Sequence, residues 1–93
     1  MNKYEIMFIV KPDVEEEARN TLIENFKSIL TANGGSVDNV NEWGLRDFAY
    51  EIKDYTKGYY VVLNVNATPE AIDEFTRVAN IKENIIRYIA VAE

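Results

Sequence analysis

Apolar residues alternate in some segments of this chain and recur every three or four residues in others, and the order of these segments constrains the fold more than any other feature. A helical spacing covers about 14–32 and returns after Pro69. Strand-like segments cover about 3–10, 36–53, 58–67 and 85–92. Such periods predict amphipathic helices and strands. The predicted order is strand, helix, strand, strand, helix, strand.

Short signals mark the ends of the two helices. Asp13 and Glu16, three positions apart, match a capping box at the start of the first helix. Asn33-Gly34-Gly35 supplies a left-handed residue that ends it. Thr68 followed by Pro69 marks the second start. The buried stripes are predicted to consist of Ala18, Leu22, Phe26, Ile29 and Leu30 in the first helix and of Ile72, Phe75, Val78 and Ala79 in the second.

The two middle strands differ in pattern. The second is long and contains Gly44, a residue that in a strand often marks a bulge, and residues 54–57 are predicted to turn the chain into the third. The third strand is expected to place Tyr59, Val61, Leu63, Val65 and Ala67 in the core and to turn Tyr60, Val62, Asn64 and Asn66 to the other face. Only the first of these two sets is predicted to be core.

The order of elements predicts an α+β fold of the ferredoxin-like, split β-α-β kind (βαββαβ). In this fold a four-stranded antiparallel sheet carries both helices on one face, and the second and fourth strands are its edges. The second strand therefore has one unpaired side. Charges of both signs on Glu42, Arg46 and Asp47 discourage self-association there while leaving the edge open to a complementary partner.

The length and composition limit the possible functions. The 93 residues, 47% of them hydrophobic, predict a single domain spanning 1–93. Because cysteine and histidine are absent, disulfides, thiolate metal sites and imidazole catalysis are excluded. No apolar run approaches the roughly 20 residues that span a bilayer, and no signal peptide is visible. We expect a soluble cytoplasmic protein with no membrane partner.

The net charge of −6 opposes nucleic-acid binding, but the charges are unevenly placed. Acidic residues gather on the predicted helices: Asp13, Glu15, Glu16, Glu17, Glu24, Glu70, Asp73 and Glu74. Basic residues lie on strands and loops: Lys3, Arg46, Lys53, Lys57, Lys82 and Arg87. Few phosphate contacts are expected, so any RNA binding should be weak alone and stronger when a basic partner shares the site.

An aromatic hairpin carries a resemblance to a known family. The run from Gly44 to Tyr50 has the pattern Gly-x-Arg-x-x-Ala-Tyr, and Gly58-Tyr59-Tyr60 follows it with Gly-Tyr-aromatic. With the opening strand from Tyr4 to Val10, this pattern resembles the bacterial small-subunit ribosomal protein six family over nearly the whole chain. Asp47 and Phe48 depart from the basic residue and the leucine that many members carry there.

The resemblance implies a structural component of the small ribosomal subunit that pairs with small-subunit ribosomal protein eighteen on the central domain of the ribosomal RNA. It implies RNA contacts for Lys3, Tyr4 and Arg87 and a protein-docking region at Glu42, Trp43, Arg46, Asp47 and Phe48. Lys53, Lys57 and Tyr60 are added to the RNA-binding candidates because they lie beside or on the open face of the hairpin.

Other interpretations of the same residues stay open at this point. Tyr4 and Tyr60 can be base-stacking platforms or ordinary half-buried side chains, and Trp43 can be core, a hairpin anchor or an interface hot spot. Tyr59 fits the core. The carboxylates of Glu15-Glu16-Glu17 point in different directions on a helix, so they favour the helix dipole rather than a metal site.

A small ferredoxin-like enzyme or ligand-binding module is the competing hypothesis, since fold alone excludes neither. The residue inventory argues against an enzyme. There is no phosphate-cradling glycine loop after a strand, and the first strand-to-helix loop, Lys11-Pro12-Asp13, has an acid where a phosphatase would need an arginine. We therefore expect neither a cofactor nor a small-molecule substrate.

Overall fold

The computed structural model describes residues 2–93, and their elements follow the predicted order. They are β1 (Asn2–Val10), α1 (Glu16–Leu30), β2 (Ser36–Ile52), β3 (Tyr55–Ala67), α2 (Pro69–Ile81) and β4 (Ile85–Ala92), with a 3-10 turn at Ala32–Gly34. The strands form one antiparallel sheet in the order β2-β3-β1-β4. The ferredoxin-like topology and the two edge strands are as predicted.

The core lies between the two helices and one face of the sheet. Phe8 of β1 pairs with Val61 of β3 and Tyr88 of β4, and it meets the ring of Phe26 edge-on with centroids 5.0 Å apart. Phe26 in turn meets Phe75 of α2 at 4.9 Å. The three phenylalanines are fully buried. Burial of each contributes about 1.5–3 kcal/mol, which holds both helices on this face.

The start of α1 differs from the prediction. The helix begins at Glu16 after an N-cap at Glu15 whose side chain makes no capping hydrogen bond, so the proposed Asp13 capping box is wrong. The chain turns first, because the Val14 N–H donates to the Lys11 carbonyl at 3.3 Å. The buried stripe agrees with the prediction at Leu22, Phe26 and Leu30, and Ile29 packs against the core. It also includes Ile23, whereas Ala18 is exposed.

The other predicted helix-end signals are confirmed only in part. Gly34 is left-handed, with a φ of 88°, but α1 ends earlier, at Leu30 with Thr31 as its C-cap, and Gly34 belongs to the 3-10 turn that follows. Thr68 is the N-cap of α2, and its side-chain oxygen accepts a hydrogen bond from the Ala71 N–H at 3.1 Å. Pro69 lies in the first turn as predicted. Among residues 2–93, no helix is long and apolar enough to span a membrane.

The β2–β3 hairpin is longer than predicted. Its turn consists of Lys53 and Asp54, with φ values of 50° and 68°, and β3 already begins at Tyr55. Two successive left-handed residues form a two-residue turn whose twist matches that of an antiparallel strand pair. The prediction that residues 54–57 form the turn is therefore wrong. Gly44 has a φ of 84° where the β2–β3 register shifts, which confirms the predicted bulge.

Candidate functional site

An aromatic cluster of Trp43, Phe48 and Tyr60 lies on the sheet face that carries no helix. Tyr60 pairs with Ile9, whose neighbours Phe8 and Val10 belong to the core on the opposite face. The Trp43 and Tyr60 rings are parallel within 8° at 6.0 Å, and Phe48 meets Tyr60 edge-on at 6.1 Å. Trp43 remains 45% exposed. The cluster thus presents a large aromatic surface to solvent.

A small apolar layer supports this cluster. Ile9, Val62 and Ile86 are 3%, 7% and 2% exposed although they lie outside the main core. Val62 lies on the uncovered face as predicted, but its burial corrects the prediction that only the helix-side residues of β3 are core. Gly58 has no side chain at the point where Ile9, Ile86 and Phe48 converge. Phe48 can therefore lie close over β3.

The five residues predicted to dock a partner protein are divided between the two sides of β2. Trp43 and Phe48 belong to the aromatic cluster, and Arg46 lies opposite Gly58 and so on the same side. Glu42 lies on the helix side, where its carboxylate accepts a hydrogen bond from the Tyr59 hydroxyl at 3.0 Å. Asp47 pairs with Lys57, two positions from Tyr59 on β3, and shares that side.

Tyr59 links the edge strand to α1. The Arg19 guanidinium lies 3.8 Å from the centroid of its ring, and the Glu42 carboxylate accepts a hydrogen bond from its hydroxyl group. Burial raises the pKa of the Tyr59 hydroxyl above its ordinary value, and Glu42 raises it further, against the opposing effect of Arg19. Tyr59 also packs against the core, which agrees with the expected structural role.

A basic cleft brings together two predicted RNA-binding residues, Lys53 and Arg87, with Lys11 and Lys82. The cleft has a volume of about 620 Å³ and is also lined by Tyr55, whose ring centroid is 5.7 Å from Lys11 Nζ. Lys11 and Lys82 were not among the residues predicted from the sequence to contact RNA. The predicted topology could have indicated them, because antiparallel pairing of the first and last strands places the loops that carry them at one end of the sheet.

The other predicted RNA-binding residues lie elsewhere. Lys3 is at the far end of β1, where its carbonyl accepts a hydrogen bond from the Glu93 N–H at 2.8 Å. Lys11 is eight positions further along the chain, which in a strand is roughly 26 Å away. Tyr4 packs half-buried against the core on the helix side, Lys57 lies in the hairpin, and Tyr60 is part of the aromatic cluster. These candidates do not form one patch.

The helix surfaces carry solvated charge pairs. Arg77 and Glu74 form an exposed ion pair on α2, which lowers the pKa of the Glu74 carboxyl and raises the pKa of Arg77. Glu24 pairs with Lys27 on α1 at 3.2 Å. Within residues 2–93, no group of three or more acidic, histidine or cysteine side chains is placed to hold a metal ion.

The chain is similar to known proteins over almost its full length. A sequence model of the family described as ribosomal protein S6 matches residues 3–92. The crystal structure of 30S ribosomal protein S6 from Thermotoga maritima superposes with a TM-score of 0.92 and 34% sequence identity, covering 99% of this chain and 87% of that one. The chain therefore belongs to the ribosomal protein S6 family, and it is accordingly a structural protein of the small ribosomal subunit that works on the ribosome in the cytoplasm, not an enzyme.

Proposed function

We propose that this protein binds the central domain of the small-subunit ribosomal RNA as a pair with small-subunit ribosomal protein eighteen. The aromatic cluster is the observation that carries the proposal. Trp43 is 45% exposed, and its ring stacks on Tyr60 above the buried Ile9. Exposed aromatic side chains on a rigid support are typical centres of protein interfaces. The cluster supplies the anchor on which the partner protein docks.

The edge strand supplies a second element for docking. β2 pairs only with β3, so the backbone groups along its other side are open to a partner. Arg46 and Asp47 are exposed there and offer charges of both signs. A partner that contacts the aromatic cluster can also pair with this edge, which gives the interface both apolar area and backbone hydrogen bonds.

The charge of the chain explains why a partner is needed. A protein with a net charge of −6 releases few counterions from RNA, so its own affinity for the phosphate backbone is low. Protein eighteen, acting as the more basic member of the pair, supplies the remaining phosphate contacts. Binding of this chain to RNA alone is expected to be weak and its binding as a pair to be strong.

The test is a gel-shift titration on a central-domain RNA fragment, with and without protein eighteen, at two salt concentrations. Trp43→Ala is expected to weaken pairing with protein eighteen by about 2 kcal/mol, roughly thirtyfold, because a central aromatic anchor is lost. Ile81→Ala is the control, since Ile81 is 67% exposed on α2 outside the cluster. Thermal unfolding verifies that both variants are folded.

The proposal predicts that this chain, protein eighteen and the RNA fragment form a ternary complex, and that this chain alone shifts the RNA only weakly. Absence of the ternary complex for the unaltered chain would overturn the proposed function. If Trp43→Ala instead binds protein eighteen as tightly as Ile81→Ala does, the pairing surface lies elsewhere on the molecule.

A further inference from the structure

The basic cleft concentrates positive charge in an acidic protein. Four of the ten lysine and arginine residues of the chain line it, together with one carboxylate, that of Glu83. Four cations and one acid give the cleft a net charge of +3, so the rest of the chain carries −9. The position of the cleft, rather than the total charge of the protein, therefore determines where a polyanion can approach.

The cations are placed by the backbone of four different segments. Lys11 follows β1, and its N–H donates to the Asn84 carbonyl at 2.9 Å, which ties the first loop to the loop before β4. Lys82 ends α2, with its N–H bonded to the Val78 carbonyl at 3.1 Å. Lys53 lies in the tight hairpin turn, and Arg87 lies on β4. The fold thus holds like charges together at one site.

These cations have no carboxylate partner in the described structure. The two ion pairs found within residues 2–93, Glu24–Lys27 and Glu74–Arg77, both lie on the helices. Glu83 lines the cleft but forms no ion pair there. Grouped cations repel one another unless an anion lies between them. An anionic ligand would remove this repulsion.

We propose that the basic cleft binds backbone phosphates of the ribosomal RNA, with Lys11 and Lys82 as contacts beside Lys53 and Arg87. This inference rests on the proposed function and assigns one part of the molecule to RNA. The cleft lies next to the aromatic cluster, because Ile86 lines the cleft and also packs toward Gly58 beside Phe48. RNA in the cleft and a protein on the cluster would therefore be neighbours.

The proposal divides the predicted RNA-binding residues between two surfaces. Lys53 and Arg87 contact phosphate in the cleft, whereas Tyr60 belongs to the surface for the partner. Tyr55 presents its ring to Lys11 on the cleft wall, and this contact holds the ammonium group near the site. Lysine suits this role because a point charge contacts phosphate without regard to base sequence.

The test is the affinity of the pair with protein eighteen for the central-domain RNA fragment as a function of salt. Lys11→Gln combined with Lys82→Gln should reduce the affinity about tenfold or more at low salt. The slope of log affinity against log salt should become shallower by about 1.5, because each lost phosphate contact removes about 0.7–0.9. The variant in which both lysines are replaced by arginine should keep the affinity.

The matched control is Lys27→Gln combined with Arg77→Gln, which removes the same charge from the exposed helices. Equal affinity and slope in the cleft and control variants would overturn the inference. Pairing with protein eighteen is measured separately without RNA. If the unaltered chain forms no ternary complex, the proposed function is rejected. If the unaltered chain forms the complex and the cleft variant binds RNA equally well, only the assignment of the cleft to RNA is rejected. Tight binding of inorganic phosphate alone would indicate a small-anion site and also reject it.

Discussion

Gly58 shows how a single residue shapes the uncovered face of the sheet. An added Cβ there would lie 2.4 Å from Ile9 Cγ2 and 3.0 Å from Phe48 Cζ. Ile9 is 3% exposed, and its branched side chain has little rotational freedom. The Ile9 methyl group cannot move aside without displacing β1. A side chain at position 58 therefore competes with the contact between Phe48 and the sheet.

Gly58→Ala is expected to lower the free energy of unfolding by about 1–3 kcal/mol, the usual cost of overpacking. Urea denaturation measures it. Thr56→Ala, on the same strand and exposed, is the control and should change stability by less than about 0.5 kcal/mol. If Gly58→Ala is as stable as the unaltered protein, Ile9 and Phe48 do not pack closely around position 58.

Some residues of the site were predictable and others were not. The motif places Trp43, Arg46 and Phe48 on one strand, and the bulge at Gly44 follows from glycine in a strand. The sequence pattern could not show that Trp43 stacks on Tyr60, because alternation assigns a residue to a face but does not give the twist or the register of the hairpin. The predicted topology brings the loops of the cleft to one end of the sheet, but the positions of the lysine and arginine side chains around it come only from the structure.

At the scale of elements, local chemistry decided which boundaries could be predicted. The Thr68 cap and the limits of β4 follow from neighbouring residues and were correct. The predicted start of α1 was wrong because the chain first turns after Lys11, which delays the helix to Glu16 and leaves Asp13 outside the capping position. The hairpin turn was misplaced because neither Lys53 nor Asp54 is a glycine.

Tyr59 of β3 joins three elements, because Arg19 of α1 lies on its ring and Glu42 of β2 accepts a hydrogen bond from its hydroxyl group. Tyr59→Phe keeps the ring and removes the hydrogen bond. We expect it to lower the free energy of unfolding by about 0.5–1.5 kcal/mol near neutral pH. Urea denaturation measures the loss, and Tyr50→Phe, at an exposed site on β2, is the control.

The same variant carries a pH prediction. Because the pKa of Tyr59 is raised above its ordinary 10.0, the unfolded chain loses this proton first as pH rises. The folded state then binds more protons, so stability falls as pH rises from about 10 through the folded pKa. Tyr59→Phe has no hydroxyl group to titrate, so the difference in free energy of unfolding between it and the unaltered protein should shrink above pH 10. A constant difference would contradict the raised pKa.

For the whole molecule, the exposed edge of β2 determines whether the chain stays separate from its own copies. The sheet is antiparallel with β2 and β4 outermost, so β2 presents unpaired backbone groups along a strand of 17 residues. Glu42, Arg46 and Asp47 are exposed on it. Two copies of this edge would bring these charged side chains next to one another, which opposes pairing.

Replacing Glu42, Arg46 and Asp47 together with valine is therefore expected to promote self-association, measured by light scattering across a concentration series. The matched control replaces Glu70, Asp73 and Arg77 of α2 with valine, which removes the same two acids and one base from an exposed helix. The helix offers no unpaired backbone, so apolar side chains alone should associate less. Circular dichroism verifies that both variants are folded. Equal association of the two variants would show that apolar surface is sufficient and that the backbone of the β2 edge plays no part. A β2 variant that stays monomeric at high concentration would show that the charges do not protect the edge.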